Sequence, residues 1–291
     1  MLLVMNNVIV KIMGGFGNQL FCYALGYSVA RENESRFIID VSQQEADTYR
    51  KLDLLNLNVE YDDKISIKKS DRLIGKILFK MKHAIALGIK TQYVKEKRAY
   101  VFDKSILTKK KESIYLEGYW QSYKYFEKYR KDLIRLFIFS GEMSEYYRET
   151  IKKIRSCSKS VAIHIRRGDY IAIGCNVNIK FYENAIQKMI NNLGKDLEFF
   201  LFSDDIDFAK EFSSRYDNMN VINNPNKENS TIEDFMLMKE CMHQIISNSS
   251  FSWWAAWLNT NEEKIVICPE IDEWTGDFYP EKWIKIKSNY A

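Results

Sequence analysis

An apolar strand that stops at a glycine turn, runs into a helix and meets a second apolar strand is compatible with few folds. The chain starts this way. VIVKI at residues 8–12 reads as a strand and ends at Met13-Gly14-Gly15. NQLFCYALGYSVAR at 18–31 sets Leu20, Tyr23, Ala24 and Tyr27 at helical spacing, and SRFIIDV at 35–41 reads as the next strand. Such β-α-β order demands a parallel sheet covered by helices. It restarts after residue 160. Strands are predicted at 161–165, 198–202, 219–222, 244–247 and 264–268, with helices at 181–193, 207–215, 231–241 and 251–258 between and after them. A strand and turn at 113–120, a helix at 125–139 and a further helix within 141–160 link the two runs. The expected fold class is α/β, with two Rossmann-like domains, 1–155 and 156–291, whose parallel sheets face each other across a cleft. In such sheets ligands bind beyond the carboxyl ends of the strands.

Composition narrows the function classes. The 291 residues are 46% hydrophobic and 28% charged, as in a globular protein with a sizeable core. A net charge of +4 gives no general attraction for nucleic acid. The five cysteines lie far apart with no CxxC pair, against both a disulfide framework and a zinc site. No signal-peptide pattern and no membrane-length apolar run is visible, so a cytoplasmic protein is expected. Residues 64–98 are strongly basic, and Ile74, Ile77, Leu78, Met81 and Ile85 make one apolar helical stripe within them. Residues 71–90 are therefore either a solvated surface helix or a peripheral contact with an anionic membrane.

Four stretches fall at strand ends. In Met13-Gly-Gly-Phe-Gly-Asn-Gln19, Gly15 and Gly17 allow a ligand close to the backbone, and the helix that follows offers free N–H groups. Asn18 and Gln19 stand where amides can reach a sugar or phosphate. A dinucleotide fingerprint is incomplete, because position 20 is Leu. In VAIHIRRGDY at 161–170, strand alternation puts His164 and Arg166 on one face. A His, two arginines and Asp169 at one strand end suit an anion, since a guanidinium presents a planar fork to phosphate oxygens. A structural ion pair of Arg166 or Arg167 with Asp169 is the plainer alternative.

In Leu201-Phe-Ser-Asp-Asp205, the carboxylates can accept from guanine, hold a metal through Asp205-Ile-Asp207, or cap the next helix, with capping favoured. Ser247-Asn-Ser-Ser-Phe-Ser-Trp-Trp254 is a hydroxyl-rich turn into a helix. Its tryptophans are expected in the core. Ser249 lacks the flanking glycines of a hydrolase nucleophile.

In this order the stretches GGFGNQLFCYALG, HIRRGDY, FLFSDD and ISNSSFSWWAAWL resemble the α-1,2-fucosyltransferases of glycosyltransferase family 11, from about residue 8 to 269. Cys22 and Ala255 depart from that pattern, where Gln and Gly are usual. The resemblance implies a GT-B fold and inverting transfer of fucose from GDP-β-L-fucose to the 2-hydroxyl of a galactose. It implies no metal and no cofactor beyond the donor substrate. By the same resemblance Arg166 grips the β-phosphate and Asp204 the guanine; Ser249, Ser250 and Phe251 line the diphosphate; Asn18 approaches the fucose. Gly15, Gly17, Gln19 and His164 complete the donor-binding set. Asp169, then His164, are the candidate bases, with the departing phosphate oxygen as a third proton acceptor. The acceptor expected is a galactose-terminated oligosaccharide, lipid-linked in surface-polysaccharide or O-antigen assembly. The competing readings are a metal-dependent transferase using another nucleotide sugar and a non-catalytic nucleotide- or glycan-binding module.

Overall fold

The computed structural model describes residues 6–67, 91–108, 112–226, 228–272 and 276–291. The basic stretch 71–90 and its apolar stripe lie outside the described residues. The chain divides into two compact units, Met1–Ser140 with Thr275–Phe278, and Gly141–Trp274 with Tyr279–Ala291.

The first unit is built on strands β1 (Asn7–Lys11), β2 (Arg36–Asp40), β3 (Asp63–Ile65), β4 (Gln92–Lys95) and β5 (Ile114–Glu117). They form one parallel sheet in the order β3-β2-β1-β5-β4. Helix α1 (Phe16–Asn33) is buried on nearly every side, which is why its apolar residues form no single stripe. At Gly26 a Cβ would come within 2.6–2.9 Å of Phe37 and Val10, so helix and sheet approach closely there. The helix expected over 125–139 is shorter, spanning only α2 (Arg130–Leu136). Phe126, at φ −136°, leaves helical geometry to bury its ring 5.8 Å from that of Phe21.

The second unit opens with α3 (Glu145–Ser156), a helix the expected boundary at 155/156 placed on the other side. Its cap explains the difference. Ser144 Oγ accepts from Tyr147 N, and Ser144 donates through its own N and Oγ to the Glu233 carboxylate at 2.7 and 2.8 Å. Strand β6 (Ser160–Ile165), the short helix α4 (Gly168–Ala172), α5 (Ile179–Leu193), β7 (Glu198–Ser203), α6 (Ile206–Ser213) and β8 (Met219–Val221) follow. Then come α7 (Ser230–Glu240), β9 (His243–Ile245), α8 (Ser250–Leu258), β10 (Val266–Glu270) and β11 (Ile284–Lys287).

The second sheet is parallel throughout, in the order β11-β10-β9-β6-β7-β8. Read from β8, that is the 3-2-1-4-5-6 order of a dinucleotide-binding fold, and its direction reverses between β6 and β9. One face of β6 enters the core through Val161, Ile163 and Ile165, against Phe181, Tyr182, Ile186 and Phe212. Trp253 and Trp254 are fully buried, as expected.

Candidate active site

In the second unit, every strand of the sheet points its carboxyl end the same way, so the loops after β6, β7 and β9 meet at one edge. The reversal of strand order opens a crevice there. Arg166 follows β6, and its guanidinium is held by two carboxylates. Nη1 lies 2.7 Å from Asp204 Oδ2, and Nη2 lies 2.6 Å from Asp169 Oδ1. The Tyr170 ring lies beneath it, 5.4 Å from the guanidinium carbon. The Asp169 contact is a short, charge-assisted hydrogen bond and the Asp204 contact an ion pair, and together they orient the arginine fork.

Asp204 also accepts from Arg167 N at 2.8 Å through Oδ1. The loop after β7 thereby holds the turn after β6. Gly168 lets the carboxylate come close, since a Cβ there would lie 2.5 Å from Asp204 Oδ2 and push it aside. Arg167 points elsewhere. Its Nε pairs with Asp205 Oδ2 at 3.0 Å, and its guanidinium stacks 3.8 Å from the Phe208 ring centre. Asp205 caps α6, accepting from Phe208 N at 3.0 Å, as favoured from the sequence. That helical N–H, and then Arg167, hold its carboxyl below the usual range. Arg166 and Arg167 thus turn to different partners.

His164 is buried, with Nδ1 2.9 Å from Ser247 Oγ. Burial and then the Arg166 charge push its pKa down to about 3. As a base it is therefore a poor candidate, and the geometry makes it a strut between β6 and the turn after β9. Its ring tilts toward Phe251 at 5.5 Å. Ser249 caps α8, accepting from Phe251 N at 3.3 Å, and Ser250 begins the helix. Arg166, Asp169, Asp204, His164, Ser249, Ser250 and Phe251 thus belong to one edge of one sheet.

The other candidates belong to the first unit. Gly15 is the N-cap residue of α1, and Gly17 lies in its buried first turn. Asn18 is half-buried and accepts from Gln121 Nε2 at 3.0 Å. Gln19 does not present its amide to a ligand. It is wholly buried, donates to Gly14 O and Lys51 O at 2.9 and 2.7 Å, and accepts from Leu54 N at 3.1 Å. It ties the glycine turn to the 51–54 segment, a correction to the sequence reading. Cys22, one of the two departures from the family pattern, donates to Gly118 O at 3.3 Å, and burial raises its pKa to about 12.

Three residues at these edges were not singled out from the sequence: Tyr170, Ser247 and Gln121. Tyr170 and Ser247 stand inside quoted stretches but become meaningful only through their partners. Gln121 follows β5, and only the sheet order reveals that β5 is the neighbour of β1. Among the described residues no group of three or more His, Cys, Asp or Glu side chains is placed to hold a metal ion.

Each unit is built on one parallel sheet, as in the GT-B fold, and charged side chains gather at the carboxyl edge of the second. The family model for glycosyl transferase family 11 matches residues 5–287, and the chain belongs to that family. It is 30% identical over 283 residues to the O-antigen biosynthesis glycosyltransferase WbnK of Escherichia coli, covering 89% of this chain and 92% of that protein. It is also 30% identical over 310 residues to an alpha-1,2-colitosyltransferase of Escherichia coli, covering 97% of this chain and all of that one. Among solved structures, the NodZ alpha-1,6-fucosyltransferase soaked with GDP-fucose superposes with a TM-score of 0.51 at 13% identity, over 87% of this chain and 92% of that one. The last likeness concerns the fold.

Proposed function

We propose that the chain transfers L-fucose from GDP-β-L-fucose to the 2-hydroxyl of a galactose with inversion, giving an α-1,2 linkage in O-antigen or related surface-polysaccharide assembly. The observation that carries this reading is Arg166, oriented by Asp204 and Asp169 at the carboxyl edge of a 3-2-1-4-5-6 sheet beside the capped start of α8. The family, its O-antigen relative and the resemblance to α-1,2-fucosyltransferases support it.

In the proposed reaction the acceptor O2 attacks the anomeric carbon as the carbon–phosphate-oxygen bond breaks. GDP departs with the electron pair. Arg166 and the start of α8 stabilise the charge gathering on the leaving phosphate, a preorganised electrostatic role a metal otherwise fills. Asp204 is assigned to the guanine, and Ser249, Ser250 and Phe251 to the diphosphate. Asn18 is assigned to the fucose. The acceptor proton goes to Asp169 or to the departing phosphate. Asp205 is already engaged by Arg167 and Phe208 N, which weighs against the Asp205-Ile-Asp207 metal reading.

One other sugar is favoured by an observation: a 30% relative is named for colitose. The test is GDP release in EDTA with GDP-fucose or GDP-colitose and a β-galactoside, with mass spectrometry and NMR of the product. Acceptor-dependent release with fucose, a deoxyhexose mass gain and a 2-linked galactose is the expected result. Turnover with colitose alone replaces the donor sugar, and turnover only with added Mn²⁺ or Mg²⁺ overturns the metal-independent mechanism.

The acceptor is proposed to be lipid-linked, which puts the enzyme at the inner face of a membrane. Among the described residues no helix is long and apolar enough to cross a membrane. Peripheral contact through 71–90 is tested by flotation with anionic liposomes at low and high salt, where absence of binding at low salt disposes of it.

A further inference from the structure

The strand order of the first sheet reverses between β1 and β5, and one contact crosses that point. Asn18 follows β1, Gln121 follows β5, and Gln121 Nε2 donates to Asn18 Oδ1 at 3.0 Å. Both partners stand on stiff backbone. On one side Gly14, at φ +81°, has no room for a side chain, because a Cβ would meet Asn18 and the Tyr119 ring at 3.0 Å. Gln19 anchors the same turn through three hydrogen bonds. On the other side Trp120 takes a left-handed φ of 56°, a conformation disfavoured for a non-glycine residue. The Glu96 carboxylate holds it there by accepting from Tyr119 N and Trp120 N at 2.8 and 3.1 Å, and Ser122 N donates to Trp120 O at 2.8 Å. Strain maintained by such over-determination belongs to places where a side chain must be aimed.

An asparagine amide has an accepting end and a donating end. Gln121 occupies the accepting end. The Nδ2 group makes no hydrogen bond to the described residues, and Asn18 is half-buried whereas Gln121 is buried. We propose that Gln121 is a positioning residue that fixes the polarity of the Asn18 amide, so that Asn18 meets the substrate as a hydrogen-bond donor to an oxygen atom. This rests on the reading of Asn18 as a donor-sugar contact. The oxygen belongs either to a sugar or to a phosphate, and the chemistry is the same.

The test is a reversal of polarity. In Gln121→Glu the new carboxylate only accepts. Asn18 must turn its NH₂ toward it and face the substrate with Oδ1. Turnover is expected to fall about 10- to 100-fold, mostly in kcat, with donor KM little changed. The unfolding midpoint stays near that of the parent. In an Asn18→Ala background the same Gln121→Glu change has no further effect on turnover. Independent, multiplying losses in the double variant overturn the proposal, because a merely structural Gln121 would behave that way. A second measurement needs no turnover. In ¹⁵N-labelled protein the Gln121 side-chain NH₂ exchanges slowly and the Asn18 NH₂ quickly. The opposite pattern overturns the assignment. Protein inactive with every donor, yet with the expected NH₂ pattern, sinks the transferase reading and leaves the amide polarity standing.

Discussion

His164 Nδ1 stands 2.9 Å from Ser247 Oγ, and this pair joins β6 to the turn after β9 where the second sheet reverses its order. The first sheet carries its counterpart, the Gln121–Asn18 contact between the turns after β5 and β1. Each reversal separates two strand ends, and each is bridged by side chains. The crevice edges are thus held before any ligand arrives, which is what preorganised electrostatic catalysis requires.

His164 sets a pH signature on stability. Its pKa is about 3 in the folded protein and about 6.5 when unfolded. Between those values the unfolded chain binds the extra proton, so stability rises with pH across that window and is fully regained above it. The slope from this one group reaches about 1.4 kcal/mol per pH unit. His164→Gln is expected to flatten the dependence of the urea midpoint on pH between 4 and 6. An unchanged slope means the imidazole is not the group responsible.

In the proposed reaction Arg166 acts through its shape as well as its charge. Arg166→Lys keeps a cation but loses the fork that meets Asp204 and Asp169 on separate nitrogens. Turnover is expected to fall about 10- to 100-fold in Arg166→Lys and about 100- to 1000-fold in Arg166→Ala, with circular dichroism unchanged. Full activity in the lysine variant would remove the bidentate argument.

Asp169 is the counter-charge to Arg166 and, in the proposed reaction, one of two candidate acceptors of the proton. Asp169→Asn is expected to lower kcat by about 100-fold if it takes the acceptor proton. GDP affinity, measured by calorimetry, should hold or improve, because the substitution relieves Arg166 of one competing carboxylate. Normal kcat with altered GDP affinity assigns the proton to the leaving phosphate.

Gly26 reports the packing of α1 on its sheet. Gly26→Ala places a methyl 2.6–2.9 Å from Phe37 and Val10. Overpacking of this kind costs about 1–3 kcal/mol. Thermal unfolding should show a midpoint several degrees lower, and an unchanged midpoint would mean the helix can shift.

Periodicity made most of the fold legible. Strands 8–12, 161–165 and 198–202 are apolar because both sheet faces are covered, and the structure has strands at all three places. The short parallel pairings β3 and β4 were not legible, since a three- or four-residue edge strand with exposed side chains has no pattern to read. At the site, Asp205 could be assigned to capping because a cap depends on local spacing. Gln19 could not be assigned to its strut role, because its partners Lys51 and Leu54 lie more than thirty residues away. His164 ranks behind Asp169 as a candidate base, and what lowers it further, burial beside a guanidinium, is a tertiary fact that local spacing does not carry.

Arg166 faces two fixed carboxylates, so the resting site is already an occupied anion exchanger. On the proposed reading a phosphate reaches the guanidinium by taking the place of Asp169, while Asp204 stays tied to the turn through Arg167 N. A diphosphate, with several charged oxygens, would make that exchange more readily than a lone monoanion. On product release Asp169 would return, and the guanidinium would not be left bare. Under the proposed reaction the clasp would rank nucleotides by valence, GDP above GMP, before any base or sugar is read.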